Sequence, residues 1–442
     1  MCSSFFKEKG EARMNSGLRR TKAVPLILLF LLLAGFSSAM AADQALRLQE
    51  LLAEALRASP ELQAARARAA ASAYRVPQAS SLPDPMLMVG YQNEGTSRYT
   101  FNEAADSQYM FSASQLFYYP GKRALRGEAA GREAESLAVS ATAAQLRIVT
   151  VVKELYYDLF FVHQSLDLLK EKENLLKKLE DAALARYAAG RGMQQDVLMA
   201  QSEKYMLIER EEMLKQRSKT IEAGLNAALG REQALPLARP LPPAAGPDPQ
   251  LLPELIAVAL ANSPEIRARE KMVDALSARV KVAEKEYYPD ITVTGNYGLK
   301  GSAFEDMWSL STTVNIPLYH ATRQKPAKQE AEASLTEAKN ELQAAKLKLG
   351  AAIQENHAAL HAAERLMLLY RQGLSEKIRQ DFQAALAGYA TGKGDAAGVI
   401  ARLRSITDVE TSYWNQLVER EKARARIEAL AGVMDNGAGE GQ

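Results

Sequence analysis

The chain has 442 residues, with 55 Lys and Arg against 53 Asp and Glu, four His and one Cys. A formal net charge of +2 offers no basic excess for nucleic acid, and a single cysteine excludes an internal disulfide and a multi-thiolate metal centre.

A basic stretch (Lys7, Lys9, Arg13, Arg19, Arg20, Lys22) precedes an apolar run, Val24 to Phe36, and then small residues to Ala41. This order predicts a secretory signal peptide over 1–41, with Met14 as an alternative start; the run is too short to span a bilayer. Its removal takes away six Lys/Arg and two Asp/Glu, leaving 49 against 51, a formal net charge of −2. Cys2 leaves with it, and no later stretch reads as about 18 consecutive apolar residues.

From residue 42 the sequence is written twice. Ser59-Pro60-Glu61 returns as Ser263-Pro264-Glu265, Tyr187 with Gly190 and Gly192 returns as Tyr389 with Gly392 and Gly394, and Leu225 to Gly230 returns as Ile427 to Gly432. The near-constant spacing predicts a duplicated domain. The expected units are 42–235 and 254–432, joined by a Pro-rich linker over 236–253 and followed by a disordered tail over 433–442.

Each unit opens with a short amphipathic helix and a second helix restarting at Ser-Pro, Ser59 being placed as N-cap and Pro60 at the first helical position. Pro77 is expected to kink or end the second helix. Strand patterns follow over about 86–117 and, in the second copy, about 291–317. Then comes a run without proline from Arg123 to Tyr187; about 65 residues at roughly 1.5 Å each give a rod of about 100 Å. The second copy predicts the same single run from about Arg323 to Tyr389. Glycine turns end both rods, and a last helix runs to Leu229 or Ala431.

The strands decide the environment. Ile291, Val293, Tyr297 and Leu299 alternate with Thr292, Thr294, Asn296 and Gly298, and Trp308, Leu310, Thr312, Val314 and Ile316 with Ser309, Ser311, Thr313 and Asn315. An apolar face opposite one of small neutral polar groups fits a wall between lipid and a water-filled pore. Four strands per chain cannot close a barrel in lipid, where an open edge costs several kcal/mol per unpaired backbone group. Oligomerisation follows: two copies give eight strands, an interior usually filled by side chains, and three give twelve, enough to surround water and the preferred count for a pore.

With these elements in this order, twice, the sequence resembles the TolC-like outer-membrane efflux proteins over Leu46 to Gly432. The resemblance is carried by Ser-Pro-Glu and its helix, the strand-to-helix junction Pro120-Gly121-Lys122-Arg123 with its counterpart at Arg323, the glycine turns, and the helix end Leu225 to Gly230. It implies a mainly α fold with a small transmembrane β part, in which duplicated long-helix hairpins form an α-barrel and four strands per chain build a trimeric 12-stranded β-barrel. It also implies a homotrimer in outer-membrane lipid reaching into the periplasm, a periplasmic adaptor, an inner-membrane pump, no cofactor and no catalysis. The junction from Gln115 to Arg123 looks like the heavy-metal branch of the family. By the same resemblance Tyr187, Gly190, Gly192, Val197, Leu198, Tyr389, Gly392, Gly394, Val399 and Ile400 form a periplasmic tip that meets the adaptor. Many members ring the closed pore with paired aspartates; Gly398 and Ala401 stand at those positions here, so Asp196 and Asp395 are the candidate gate.

Other readings carry less. His357 and His361 lie four apart with Glu355 nearby, but no third ligand is placed, so they read as a solvated face. Met86, Met88, Met193, Met199, Met206 and Met213 follow helix or strand periods and read as packing rather than copper ligands. No phosphate loop, nucleophile elbow or metalloprotease helix is present. An exported soluble scaffold or coiled-coil adhesin explains the long helices and leaves the hairpins unexplained.

Overall fold

A computed structural model describes residues 45–243 and 251–433. The expected signal peptide (1–41), the middle of the expected linker (244–250) and the expected tail from 434 lie outside the described residues.

Helices α1 (Leu48–Ala58) and α2 (Pro60–Ser80) lead into strands β1 (Met86–Gln92) and β2 (Gln108–Phe117), followed by α3 (Lys122–Ala188) and α4 (Gln194–Leu229). The second copy supplies α5 (Leu252–Asn262), α6 (Pro264–Lys285), β3 (Asp290–Leu299), β4 (Met307–Asn315), α7 (Gln324–Leu369), α8 (Ser375–Ala390) and α9 (Ala396–Ala431). The 67-residue α3 is the spine, about 100 Å long at 1.5 Å per residue, and packs against α2, α4, α6 and α9.

Three local expectations are corrected. Ser59 stands at the head of α2, but its hydroxyl makes no cap; it is buried, and its amide instead closes α1 on Ala55 O at 3.0 Å. Pro77 does not end α2 at its own position: the helix runs three residues further to Ser80, and Gln78 Nε2 and Ser80 Oγ donate to Tyr74 O and Val76 O at 3.0 and 3.1 Å. The second long run is not one α-helix: a π turn, Tyr370–Leu374, separates α7 from α8, with Gly373 inside it.

One stretch is also more apolar than the sequence reading allowed. An 18-residue window of α3 has a mean hydropathy of 1.2, enough for a membrane span by length and composition alone. Of that window 28% is buried inside the chain, where α3 packs against α1, α2, α4, α6 and α9.

The four strands form one antiparallel sheet in the order β1-β2-β3-β4. Met86 opposes Ser114, Ser114 opposes Thr294, and Thr294 opposes Ser311. Because opposed residues share a face, Ser112, Ser114, Thr292, Thr294, Asn296, Ser309, Ser311 and Thr313 line one side with Met86, Met88 and Met110. The other side carries Leu87, Val89, Phe111, Phe117, Ile291, Val293, Tyr297, Trp308, Leu310 and Val314, with Trp308 directly opposite Tyr297. Among the described residues nothing covers this apolar side: Leu87 and Trp308 are each 79% exposed, and Leu310 is 70% exposed.

Buried apolar side chains gather in separate clusters along the rods. One holds Leu51, Leu62, Val152, Tyr156, Phe160 and Leu225; its second-copy counterpart holds Leu255, Ile266, Leu349, Ile353 and Ile427. Near the far end Lys172 is buried among such residues, and its Nζ has no hydrogen-bond partner. Burial pushes its pKa down to about 8, against the attraction of Glu410, Asp408 and Glu171 and with the repulsion of Arg210. The cost of burying this charge is therefore in force below pH 8 and is relieved as pH rises towards 10.5, where the unfolded lysine also loses its proton. Lys172→Met is expected to raise the thermal midpoint at pH 7, by the equivalent of about 1–4 kcal/mol, with a smaller gain near pH 10. Calorimetry at the two pH values checks this; a lowered midpoint would show that Lys172 meets an anion in the assembled protein.

Candidate functional site: the helical tip and the strand to helix collar

The tip is where α3 turns into α4 and α8 into α9. Gly190 and Gly392 end their helices with φ of 68° and 83°, a region that disfavours any residue with a Cβ. Gly192 is required by space instead: a Cβ there would stand 2.9 Å from Arg186 Cβ and 3.1 Å from Tyr187 N. Gly394 has looser surroundings, with the nearest atom at 3.5 Å.

The two turns are tied by a residue the sequence reading missed. Arg186 Nη1 donates to Tyr389 O at 2.5 Å, its Nη2 donates to Arg191 O at 3.2 Å, and its guanidinium carbon lies 4.5 Å from the centre of the Tyr389 ring. Tyr389, 0% exposed, donates its hydroxyl to Asp196 Oδ2 at 3.1 Å. Burial, this bond and the Asp196 charge push the Tyr389 pKa up to about 12, with Arg186 pulling it down. The duplication alone could not reveal the hub, because Gly388 stands in the second copy where Arg186 stands in the first.

Repeat-related residues therefore diverge. Tyr389 is inside the tip, while Tyr187 is 49% exposed. Val197, Val399 and Ile400 join Tyr389 in a cluster with Leu176, Leu179, Ala200, Phe382 and Leu403, whereas Leu198 is 55% exposed. The two candidate gate aspartates are not brought together: Asp196 faces Tyr389, and Asp395 caps α9 by accepting from Gly398 N at 2.6 Å. Behind them, Arg404 grips the buried Glu203 through Nε at 3.0 and 3.1 Å, joining α9 to α4.

The collar is where β2 enters α3. Gly121 (φ 89°) lets the chain turn after Pro120, so that Lys122 begins the helix with its side chain pointing inward. Lys122 is 1% exposed; its Nζ donates to Asp290 Oδ1 at 2.9 Å, Tyr288 O at 3.0 Å and Glu286 Oε2 at 3.3 Å. Asp290 also accepts from Tyr119 N at 2.8 Å, and Glu286 from Arg126 at 2.7 Å. Tyr119 stacks on Tyr288 with centroids 4.5 Å apart, and Arg123 donates to Ser80 O at 2.8 Å. Of the five predicted junction residues, Lys122 and Arg123 bond across the collar, Pro120 and Gly121 shape the turn before them, and Arg323, at the head of α7, is exposed. The partners Glu286, Tyr288 and Asp290 were missed, since they come from the other copy.

Elsewhere, His361 Nε2 lies 3.2 Å from His357 Nε2, and its Nδ1 lies 3.2 Å from Glu364. Among the described residues no group of three or more His, Cys, Asp or Glu side chains is arranged to hold a metal ion.

The sequence matches the family described as outer membrane efflux protein over residues 51–231 and 255–433, both copies. It is 27% identical over 226 residues to outer membrane efflux protein BepC of Brucella suis biovar 1 (strain 1330), a match spanning about half of each chain, 50% of this one and 49% of the relative. Among solved structures, VceC of Vibrio cholerae superposes with a TM-score of 0.75 at 18% identity, covering 87% of this chain and 96% of that one. The open state of the Neisseria gonorrhoeae MtrE outer membrane channel superposes with a TM-score of 0.72 at 16% identity, covering 88% and 89%. At these identities the likeness is one of fold.

Proposed function

This chain belongs to the outer membrane efflux protein family, and from that premise we propose that it is the outer-membrane channel of a tripartite efflux system, a homotrimer that conducts passively. The observation that carries this reading is the sheet: one face is apolar and uncovered, the other is lined with hydroxyls and amides, and β1 and β4 each keep a free edge. Such a sheet is stable in lipid only when neighbouring copies pair its edges and enclose water. The helical rods carry the conduit onward into the periplasm, and the energy for transport comes from a pump in the inner membrane.

In this reading the tip meets the adaptor. Tyr187, Leu198 and the exposed turns around Gly190 and Gly392 offer the contact, while Tyr389, Val197, Val399 and Ile400 hold its shape from within. Asp196 and Asp395 act at the gate, the first through Tyr389 and the second by capping α9.

Mass measurement in detergent with planar-bilayer recording tests the channel. Three copies per particle and discrete conductance steps are expected; a monomer that stays in solution without detergent would refute the reading and favour an exported scaffold. For the tip, Gly190→Trp together with Gly392→Trp is expected to abolish the tolerance to toxic compounds that the native chain restores to a deletion host. Unchanged tolerance with normal assembly would count against docking at the tip.

A further inference from the structure

The two free edges of the sheet fit one another in a single register, and the duplication specifies it. Pro83-Asp84 leads into β1 as Pro289-Asp290 leads into β3, so Met86 is the counterpart of Thr292 and Met88 of Thr294. Met86 pairs with Ser114, and Thr292 pairs with Thr313, which makes Thr313 the counterpart of Ser114. Within the chain Ser114 pairs with Thr294. Carried across the edge, that pairing puts Thr313 opposite Met88 of a second copy.

Strand length and the order of the faces both agree with this register. From Asn315 against Met86 to Ser309 against Gln92, the register uses the whole of β1 and ends where β4 ends. It also keeps the faces in order: Leu310 meets Tyr91 and Val314 meets Leu87 on the apolar side, while Ser311 meets Gly90 and Thr313 meets Met88 on the polar side. A slip of one residue would turn every apolar side chain of one strand to the wrong side. A slip of two residues keeps the faces: in one direction it leaves Met86 and Leu87 unpaired, and in the other it pairs all of β1 but leaves Val314 and Asn315, at the end of β4, without partners.

Below the ladder the seam differs from the collar inside the chain. Aligning Tyr119 with Tyr319 and Arg123 with Arg323 puts Thr322 in the place of Lys122, and on the facing strand entrance Ser80 and Leu82 take the places of Glu286 and Tyr288. Only Asp84 survives of the buried ionic cluster, and Tyr319 is 79% exposed within the chain.

We infer that copies of this chain join through β4 of one and β1 of the next in this register, Thr313 against Met88, with a seam held by its strand ladder and an apolar Tyr319 to Leu82 contact in place of the buried ion cluster. The inference rests on the channel reading and adds which residues meet and what holds them.

Paired cysteines test it, in a chain whose only other cysteine is Cys2. Opposed Cβ atoms lie about 4.5–5.5 Å apart, within a small adjustment of disulfide geometry, against about 7–8 Å for diagonal neighbours. Membranes carrying Thr313→Cys with Met88→Cys are treated with a mild oxidant and run without reductant; the monomer band is expected to give way to covalent dimers and trimers. Thr313→Cys with Met86→Cys, and with Gly90→Cys, report the two-residue slips and are expected to remain monomeric. Cross-linking in a slip pair, or in none of the three while the detergent mass is that of a trimer, overturns the register. A monomeric mass in detergent overturns the channel reading itself.

Discussion

In the proposed trimer, Lys122→Met is expected to lower the temperature at which the detergent-solubilised assembly dissociates and to cut its yield in the outer membrane severely. The lysine is 1% exposed and is the cation shared by Asp290 and Glu286 and by the carbonyl of Tyr288. Removing one partner of a buried ion pair costs about 3–5 kcal/mol, because the remaining charge is left in a poor solvent. Here Glu286 keeps Arg126, while Asp290 keeps only the amide of Tyr119. The penalty therefore concentrates on Asp290, and Lys122→Met with Asp290→Asn should recover most of the loss. Lys122→Arg should not, since a planar guanidinium cannot direct donors to all three acceptors from the same enclosed position. The dissociation temperature followed on unheated gels checks all three variants; an unchanged value for Lys122→Met would mean that the cluster is not what fixes the barrel to the rods.

The expected effect is large because the collar converts a strand into a helix within a few residues, and its partners lie more than 160 positions along the chain. That separation also explains what could be read beforehand. Residues 291–299 display their two faces by an alternation interrupted on the apolar side only at Gly295, so the strands and their environments were legible from local pattern. Pro120-Gly121 and the turn glycines were legible for a similar reason, since backbone geometry restricts which residues can stand there. Lys122 could be named, but its acceptors could not, because nothing local ties position 122 to position 290. The tip was half legible: the paired tyrosines were found, yet the burial of Tyr389 and exposure of Tyr187 depend on Arg186, which has no counterpart in the second copy. The π turn at Tyr370–Leu374 had no signal beyond Gly373, because helix-forming residues surround it on both sides.

Tyr389→Ala is expected to loosen the tip by about 3–5 kcal/mol, the usual range for emptying a buried aromatic site. In a channel closed at this end the consequence is a leak: more frequent open events in bilayers, and sensitivity of the host to bulky antibiotics that the native protein excludes. Tyr389→Phe keeps the ring and its guanidinium contact and loses only the bond to Asp196, about 1 kcal/mol, so its leak should be slight. The two variants thus separate packing from the hydrogen bond. A pH series separates them further. With its pKa held near 12, Tyr389 favours its neutral form in the closed tip, so its contribution is complete below pH 10 and is lost as pH rises from 10 to 12. Native channels should open increasingly across that window, and Tyr389→Phe, having no proton to lose there, should show a flatter response. Equal responses in the two proteins would place the alkaline transition elsewhere and remove Asp196 and Tyr389 from the gate, leaving Asp395 and the capped start of α9 as the element to test.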